Sequence, residues 1–231
     1  MTAIIKIKNY FSLNEKILWS VSAGAIILSF CLFDRKNYIT LAASLIGITS
    51  IIINAKGNPI GQLLMIVFSL LYGVISYSFS YYGEMITYLG MTMPMAVFAL
   101  ISWLKNPYNG KRTEVRINTV CKREILLMCL LTIIITIIFY LILRFFHTAY
   151  LLLSTVSVIT SFIAVYLCFR RSPYFSLAYA ANDVVLIGLW VLAAADEIRY
   201  VSVAVCFTAF LANDIYGFLS WRKMEKRQRI G

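Results

Sequence analysis

Long apolar segments separated by short polar gaps run along almost the whole chain. Eight of them approach the roughly 20 residues with which a helix crosses about 30 Å of hydrocarbon. They are Ile17–Phe33, Ile39–Ala55, Ile60–Tyr82, Met85–Leu104, Ile125–Phe146, Ala149–Phe169, Tyr174–Ala195 and Tyr200–Trp221. The longest gap is the basic loop Lys105–Glu124. The pattern predicts an all-α polytopic membrane protein of about eight transmembrane helices, preceded by an amphipathic stretch, residues 1–16, at the membrane surface.

The composition excludes most other classes of protein. Of the 231 residues, 61% are hydrophobic and 13% are charged, whereas soluble domains have about 45–50% apolar and about 25% charged residues. A single histidine, His147, rules out multi-histidine metal sites, and the five cysteines form no CxxC pair. Nucleotide-binding and hydrolase motifs are absent from the sequence. We therefore expect a protein that is not an enzyme and that needs no cofactor.

The net charge of +11 is explained by orientation in a membrane. In the eight-helix arrangement, 17 of the 21 basic residues lie on the side of the N-terminus, and four lie on the other side: Arg35, Lys36, Arg144 and Arg199. Basic residues concentrate in cytoplasmic loops. Both termini are therefore predicted to be cytoplasmic, with residues 222–231 as a basic tail, and no nucleic acid is needed as a partner.

The two halves of the chain resemble each other weakly. Three short matches occur in the same order: Ile48-Thr49-Ser50 with Ile159-Thr160-Ser161, Asn58-Pro59 with Ser172-Pro173, and Ser102-Trp103 with Ser220-Trp221. They predict two triple-helix repeats, 39–104 and 149–221, joined by a linker helix, 125–146, with 17–33 as an extra first helix. Repeats of the same orientation enclose a midplane site in many transporters.

Two carboxylates lie deep in predicted spans, and each follows an asparagine. Ionisable groups inside a membrane are costly and mark functional sites by default. We predict a substrate pocket built from these pairs, from aromatic residues one or two turns away and from a polar stripe on the third span. Its residues are Asn182, Asp183, Trp190, Asn213, Asp214, Tyr216, Gln62, Ser69 and Tyr72. The alternative is that the polar side chains join helices by hydrogen bonds.

Other aromatic and acidic residues are placed near the ends of the spans. Glu84 and Tyr88 are predicted to form a gate or a cation-attracting vestibule at the outer mouth. Trp103 and Trp221 stand next to basic residues, which is typical of side chains that anchor a helix at the membrane interface.

Three segments resemble the PnuC family, the nicotinamide riboside transporters of bacteria: 81–94, 179–190 and 213–222. The resemblance implies a seven-helix core of three plus one plus three helices, similar to the SWEET transporters, in a bacterial inner membrane. It implies facilitated diffusion of nicotinamide riboside, retention by a cytoplasmic kinase, and a homotrimer. We expect a uniporter, because a cationic nicotinamide ring offsets a carboxylate without a coupling ion.

The chain departs from the family at one position. Many members have two tryptophans three residues apart in the helix before the last, but Trp190 has Ile187 and Ala193 at those distances. Thiamine and riboflavin, which relatives of the same fold carry, therefore stay open as substrates. A receptor that binds a vitamin without moving it is the alternative from another class.

Overall fold

A computed structural model describes residues 10–78 and 81–230. Most of the predicted surface stretch 1–16 therefore lies outside the described residues. The helices are α1 Leu13–Phe33, α2 Tyr38–Asn54, α3 Ile60–Ser78, α4 Tyr82–Thr87, α5 Met93–Lys105, α6 Lys122–Phe145, α7 Leu151–Phe169, α8 Phe175–Asp196 and α9 Val201–Ile230. A π-helical turn, Tyr88–Thr92, joins α4 to α5 into one span, and a 3-10 turn, Ile198–Tyr200, precedes α9. Strands β1 Pro107–Tyr108 and β2 Lys111–Val115 form an antiparallel hairpin.

The predicted spans are helical. Within the described residues, seven helices are long and apolar enough to cross a membrane, and α2 is a shorter apolar helix of 17 residues. Large apolar side chains face outward along them, as at Leu152, which is 79% exposed. Such a surface suits lipid and would be unfavourable in water. The prediction of an all-α polytopic membrane protein is confirmed.

The third span ends at Ser78 rather than at Tyr82, and two further differences from the predicted boundaries lie at the two ends of the chain. α1 begins at Leu13 rather than at Ile17, because a capping box forms: the Ser12 amide donates to the Glu15 carboxylate (2.7 Å) and the Glu15 amide donates to Ser12 Oγ (3.3 Å). α9 continues to Ile230. The predicted basic tail is therefore the last part of a helix.

Six spans of the described chain close into a ring in the order α2, α3, α4–α5, α7, α8, α9, with α9 packed against α2. α1 lies outside the ring against α2 and α9, and α6 lies outside it against α7. We call the end of the ring that carries the hairpin and the end of α9 the basic face.

Two sets of hydrogen bonds match each other across the basic face of the ring. Ser102 Oγ and Trp103 Nε1 at the end of α5 donate to carbonyls at the end of α7, at 3.0 and 2.9 Å. Ser220 Oγ and Trp221 Nε1 of α9 donate to carbonyls at the end of α2, at 2.7 and 2.8 Å. These contacts give the repeated Ser-Trp pair a structural role.

The two tryptophans are not interfacial anchors, so that prediction is wrong. Trp103 and Trp221 are both fully buried, and their ring centroids are 5.3 Å apart. Phe175 packs edge-on against Trp221, with ring centroids 4.7 Å apart. We call these three residues the tryptophan plug. Val115, at the end of β2, belongs to the same apolar cluster, and the plug closes the ring at its basic face.

Candidate functional site

The interior of the ring contains a small cavity to which every ring span contributes. Its lining residues are Ile51, Met65, Phe68, Tyr88, Thr92, Ser161, Tyr179, Asn182, Asp183, Phe207, Phe210 and Asp214. Its volume is about 30 Å³, which is room for about one water molecule. This central cavity is therefore occluded, and a larger ligand requires the surrounding helices to move apart.

Asp183 of α8 and Asp214 of α9 lie side by side in the wall of the cavity. Their exposures are 4% and 5%. Among the described residues, Asp183 Oδ2 has no hydrogen-bond partner, and no lysine or arginine lines the cavity. Two neighbouring carboxylates in a medium of low dielectric constant repel each other unless a proton or a cation lies with them. The pair therefore favours a ligand that brings positive charge and hydroxyl donors.

Asn182 both lines the cavity and joins two helices. Its Oδ1 accepts hydrogen bonds from Thr160 Oγ1 at 2.8 Å and from Ser161 Oγ at 2.9 Å, which tie α8 to α7. The two interpretations of this side chain, site lining and helix association, thus both describe it.

The polar stripe on α3 is buried, and its hydroxyls are unsatisfied. Ser69, Tyr72 and Ser76 are at most 4% exposed, and their hydroxyl oxygens have no hydrogen-bond partner among the described residues. The Tyr72 ring lies 4.3 Å from the ring of Tyr88, centroid to centroid. Tyr88 lines the central cavity itself and is not at the outer mouth, contrary to the prediction.

An aromatic cluster closes the ring on the side of the cavity opposite the plug. We call Tyr72, Tyr81, Trp190 and Tyr200 the outer cluster; the rings of Tyr81 and Tyr200 lie 4.9 and 5.6 Å from that of Trp190. Trp190 is fully buried and does not touch the cavity. Among the described residues, neither Trp190 Nε1 nor Tyr72 Oη has a partner that meets hydrogen-bond geometry. The cluster is thus a closure placed between the cavity and the far side of the membrane.

Glu84 is not part of an exposed vestibule. It lies in the first turn of α4, is 2% exposed, and its Oε2 has no hydrogen-bond partner among the described residues. The chain turns inward at Tyr81, where the Tyr81 amide donates to the Ser76 carbonyl at 2.8 Å. That turn carries Glu84 into the interior, near Tyr72.

Besides Trp190, Ser69 and Tyr72, which do not line the cavity, three further predicted site residues lie away from it. Asn213 Nδ2 donates to Ser22 Oγ of α1 at 2.8 Å, and Tyr216 Oη donates to Glu15 of α1 at 3.1 Å. Successive residues of a helix point about 100° apart, so a helix that turns Asp214 inward turns Asn213 toward α1. Gln62 Nε2 donates to Asn54 Oδ1 at 2.9 Å, near the basic face.

Several cavity residues were not predicted. Half of them are aromatic: Phe68, Tyr179, Phe207 and Phe210. Helical periodicity carries the signal for some of them, because Tyr179 precedes Asp183 by four residues and Phe210 precedes Asp214 by four. Side chains four residues apart share a face of a helix, so each carboxylate has an aromatic ring one turn before it in its own helix.

A closed ring of membrane-spanning helices around a buried polar cavity, occluded at both ends, defines a membrane transporter. The model of the nicotinamide mononucleotide transporter family matches residues 37–223. The chain belongs to this family.

Two known proteins are similar to this chain. The nicotinamide riboside transporter PnuC of Neisseria mucosa is 25% identical over 199 residues, covering 84% of this chain and 76% of the relative. The crystal structure of the vitamin B3 transporter PnuC superposes with a TM-score of 0.82 at 22% identity, covering 94% of both chains. The fold is thus the PnuC fold.

Proposed function

We propose that this protein transports nicotinamide riboside across the membrane by facilitated diffusion. The observation that carries the proposal is the pair Asp183 and Asp214, which faces a cavity with aromatic walls and, among the described residues, no basic side chain. A nicotinamide riboside has a cationic aromatic ring and ribose hydroxyls. Carboxylates accept hydrogen bonds from hydroxyls, and aromatic faces attract a cationic ring. The name of the Neisseria relative supports the same substrate.

The same lining favours the riboside over the mononucleotide that the family description names. A phosphate adds about −1.5 to −2 charge at pH 7. In a cavity of low dielectric constant, this charge would stand against two carboxylates without a basic side chain to offset it. Discrimination against the phosphate would also prevent the phosphorylated product from leaving. We therefore propose that a cytoplasmic kinase retains the substrate after transport.

Binding to the purified protein separates the candidate substrates. We expect nicotinamide riboside to bind at least about tenfold more tightly than its 5′-phosphate, because a repulsion of about 1.4 kcal/mol already produces that ratio. Calorimetry with nicotinamide riboside, its phosphate, thiamine and riboflavin makes the comparison. Tighter binding of thiamine or riboflavin would assign the protein to another vitamin, and equal binding of the phosphate would contradict the electrostatic argument.

The occluded cavity supports alternating access. The tryptophan plug and the outer cluster lie on opposite sides of it, and each must open for a substrate to pass.

The matched hydrogen bonds of Trp103 and Trp221 support the proposal of two parallel triple-helix repeats that rock against each other. The carbonyls that accept these two hydrogen bonds belong to Cys168 and Asn54, which are 114 residues apart in the sequence. Asn58 and Ser172 are also 114 residues apart, so the Asn58-Pro59 match aligns the two halves in the same way. The Ile-Thr-Ser match is spaced by 111 residues and does not fit that register.

We propose that the basic face is cytoplasmic in a bacterial inner membrane, because most basic residues lie on that side. This orientation can be tested with single cysteines introduced into a cysteine-free background. Asn109→Cys places a thiol at the exposed tip of the hairpin, and Lys36→Cys places one in the exposed turn between α1 and α2. An impermeant maleimide added to intact cells should label Lys36→Cys alone. Labelling of Asn109→Cys in intact cells, with Lys36→Cys protected, would reverse the orientation.

The homotrimer that the resemblance implies also stays a proposal. Native mass spectrometry of the full chain tests it directly: a trimer mass is expected, and a monomer that binds substrate with full affinity would contradict it.

A further inference from the structure

A second polar cavity lies on the basic face, outside the ring. Its volume is about 460 Å³. It is bounded by the hairpin, by the loop that follows β2, by the end of α7 and by the end of α9. Its principal polar residues are Arg116, Asn118, Arg171, Glu225, Gln228 and Arg229.

Two arginines of this cavity have no acidic partner among the described residues. Arg229 is neutralised by Glu225 at 2.7 Å, and that carboxylate also pairs with Arg222 at 2.5 Å. Arg116 and Arg171 form no ion pair there. The cavity therefore has more positive charge than its own carboxylate balances.

Two buried donors of the same cavity are unsatisfied. Arg171 Nε and Asn118 Nδ2 are inaccessible to solvent and have no hydrogen-bond partner among the described residues. The Arg171 guanidinium makes one long contact, from Nη1 to Ser102 Oγ at 3.4 Å. Its burial and the nearby charges of Arg170 and Arg116 lower its pKa. A buried donor without an acceptor costs free energy, and an anion in the cavity would remove that cost.

The backbone at Arg171 adds a further cost that its side chain must offset. Arg171 has φ +58°, in the left-handed region, at the turn that ends α7. The matching turn after α2 has Gly57 at this position, with φ +67°. Both turns close alike, since the Ser172 amide donates to the Leu167 carbonyl and the Asn58 amide to the Ile53 carbonyl. This region is unfavourable for a side chain other than glycine, and such backbone strain is found at functional sites.

We propose that Arg116, Arg171 and Asn118 form a binding site for a phosphate group on the basic face. Guanidinium groups bind phosphate through paired charge-assisted hydrogen bonds, and an amide supplies a further donor. The Asn118 amide nitrogen of the backbone donates to the Arg171 carbonyl at 3.1 Å, so the loop and the end of α7 are already held together. The phosphate comes either from a phospholipid headgroup at the membrane edge or from a soluble nucleoside monophosphate.

The site adjoins one of the closures of the ring. Ser102, which Arg171 contacts, donates through the same Oγ to the Phe169 carbonyl, beside the hydrogen bond of Trp103. A bound phosphate would thus link the end of α7, the loop after β2 and the end of α5. Occupancy is expected to stabilise the closed tryptophan plug.

The test uses the full chain in nanodiscs of phosphatidylcholine. In the first arm, nicotinamide mononucleotide is titrated in the presence of saturating nicotinamide riboside, so that the central cavity is filled. In the second arm, phosphatidylglycerol is added to the nanodiscs, and the retained lipid is measured by native mass spectrometry. The double variant Arg116→Gln with Arg171→Gln is expected to weaken one of these interactions by about tenfold or more, since hydrogen bonds to charged groups are lost.

Arg112→Gln is the matched control, because it removes the same charge from an exposed position of the same hairpin that does not line the cavity. It should leave both arms within about twofold of wild type. Binding of nicotinamide riboside in each preparation reports separately on the central cavity and on folding. Should the double variant misfold, the single variant Arg116→Gln, at an exposed position, is expected to bind the phosphate ligand several-fold more weakly than wild type. If wild type binds neither ligand, or if Arg112→Gln weakens binding as much as Arg116→Gln does, the phosphate site is refuted.

Discussion

Replacing Asp214 or Asp183 by asparagine is expected to weaken nicotinamide riboside binding by about tenfold or more. Each carboxylate faces the central cavity, and asparagine keeps the shape of the side chain while removing its charge. Hydrogen bonds to charged groups contribute about 1.5–3 kcal/mol, and each 1.4 kcal/mol is about tenfold in affinity. Titration calorimetry of the purified variants measures the change. Their effects should not add, because the two carboxylates lie side by side.

Neighbouring polar residues of the same helix provide the matched controls. Asn213→Ala and Tyr216→Phe remove groups that face α1 rather than the cavity. Their affinity for nicotinamide riboside should stay within about twofold of wild type, with any loss appearing as lower thermal stability. If Asn213→Ala weakens binding as strongly as Asp214→Asn, the ligand does not occupy the cavity described above.

Trp221→Ala and Trp103→Ala are each expected to destabilise the protein by about 3–5 kcal/mol, as large buried aromatics do when truncated. Each change removes a fully buried indole together with its hydrogen bond to a helix-end carbonyl. Because the two tryptophans hold corresponding positions, their effects should be similar. The apparent melting temperature of the protein in detergent measures the loss.

Trp19→Ala is the control for the tryptophan plug. Trp19 lies on α1, is 38% exposed, and donates to Thr49 Oγ1 at 3.1 Å. Its truncation should destabilise the protein clearly less than Trp221→Ala or Trp103→Ala does. An equal fall in melting temperature for Trp19→Ala and Trp221→Ala would show that the tryptophan plug does not stabilise the ring more than an exposed tryptophan outside it does.

The number and type of the spans could be predicted from the sequence because lipid imposes length and hydropathy on every crossing helix. The same signal does not say which face of a helix turns inward. Asp183 and Asp214 could be selected because a carboxylate inside the membrane is energetically costly and therefore indicates a functional site. Asn213 and Tyr216 were selected with them, and they proved to face α1, a helix whose place outside the ring no local pattern specifies.

The tryptophans show a second limit of sequence reasoning. A tryptophan beside basic residues is typical of the membrane interface, and that local rule placed Trp103 and Trp221 at the lipid surface. In the structure each indole reaches across to the first helix of the other half of the ring. The contact is between residues 65 positions apart for Trp103 and 167 apart for Trp221. The repeated Ser-Trp pair was the available sign that both share a structural role.

Uptake of labelled nicotinamide riboside into liposomes containing the purified protein tests the central claim most directly. We predict that the internal concentration rises to the external concentration and stops there, faster than in protein-free liposomes and much faster than with Asp214→Asn. With the membrane potential held at zero, an imposed proton or sodium gradient should leave that plateau unchanged, since the cationic substrate itself offsets the carboxylates of the cavity and no coupling ion is needed. Uptake no faster than in protein-free liposomes would contradict transport, and accumulation above the external concentration under either gradient would contradict facilitated diffusion.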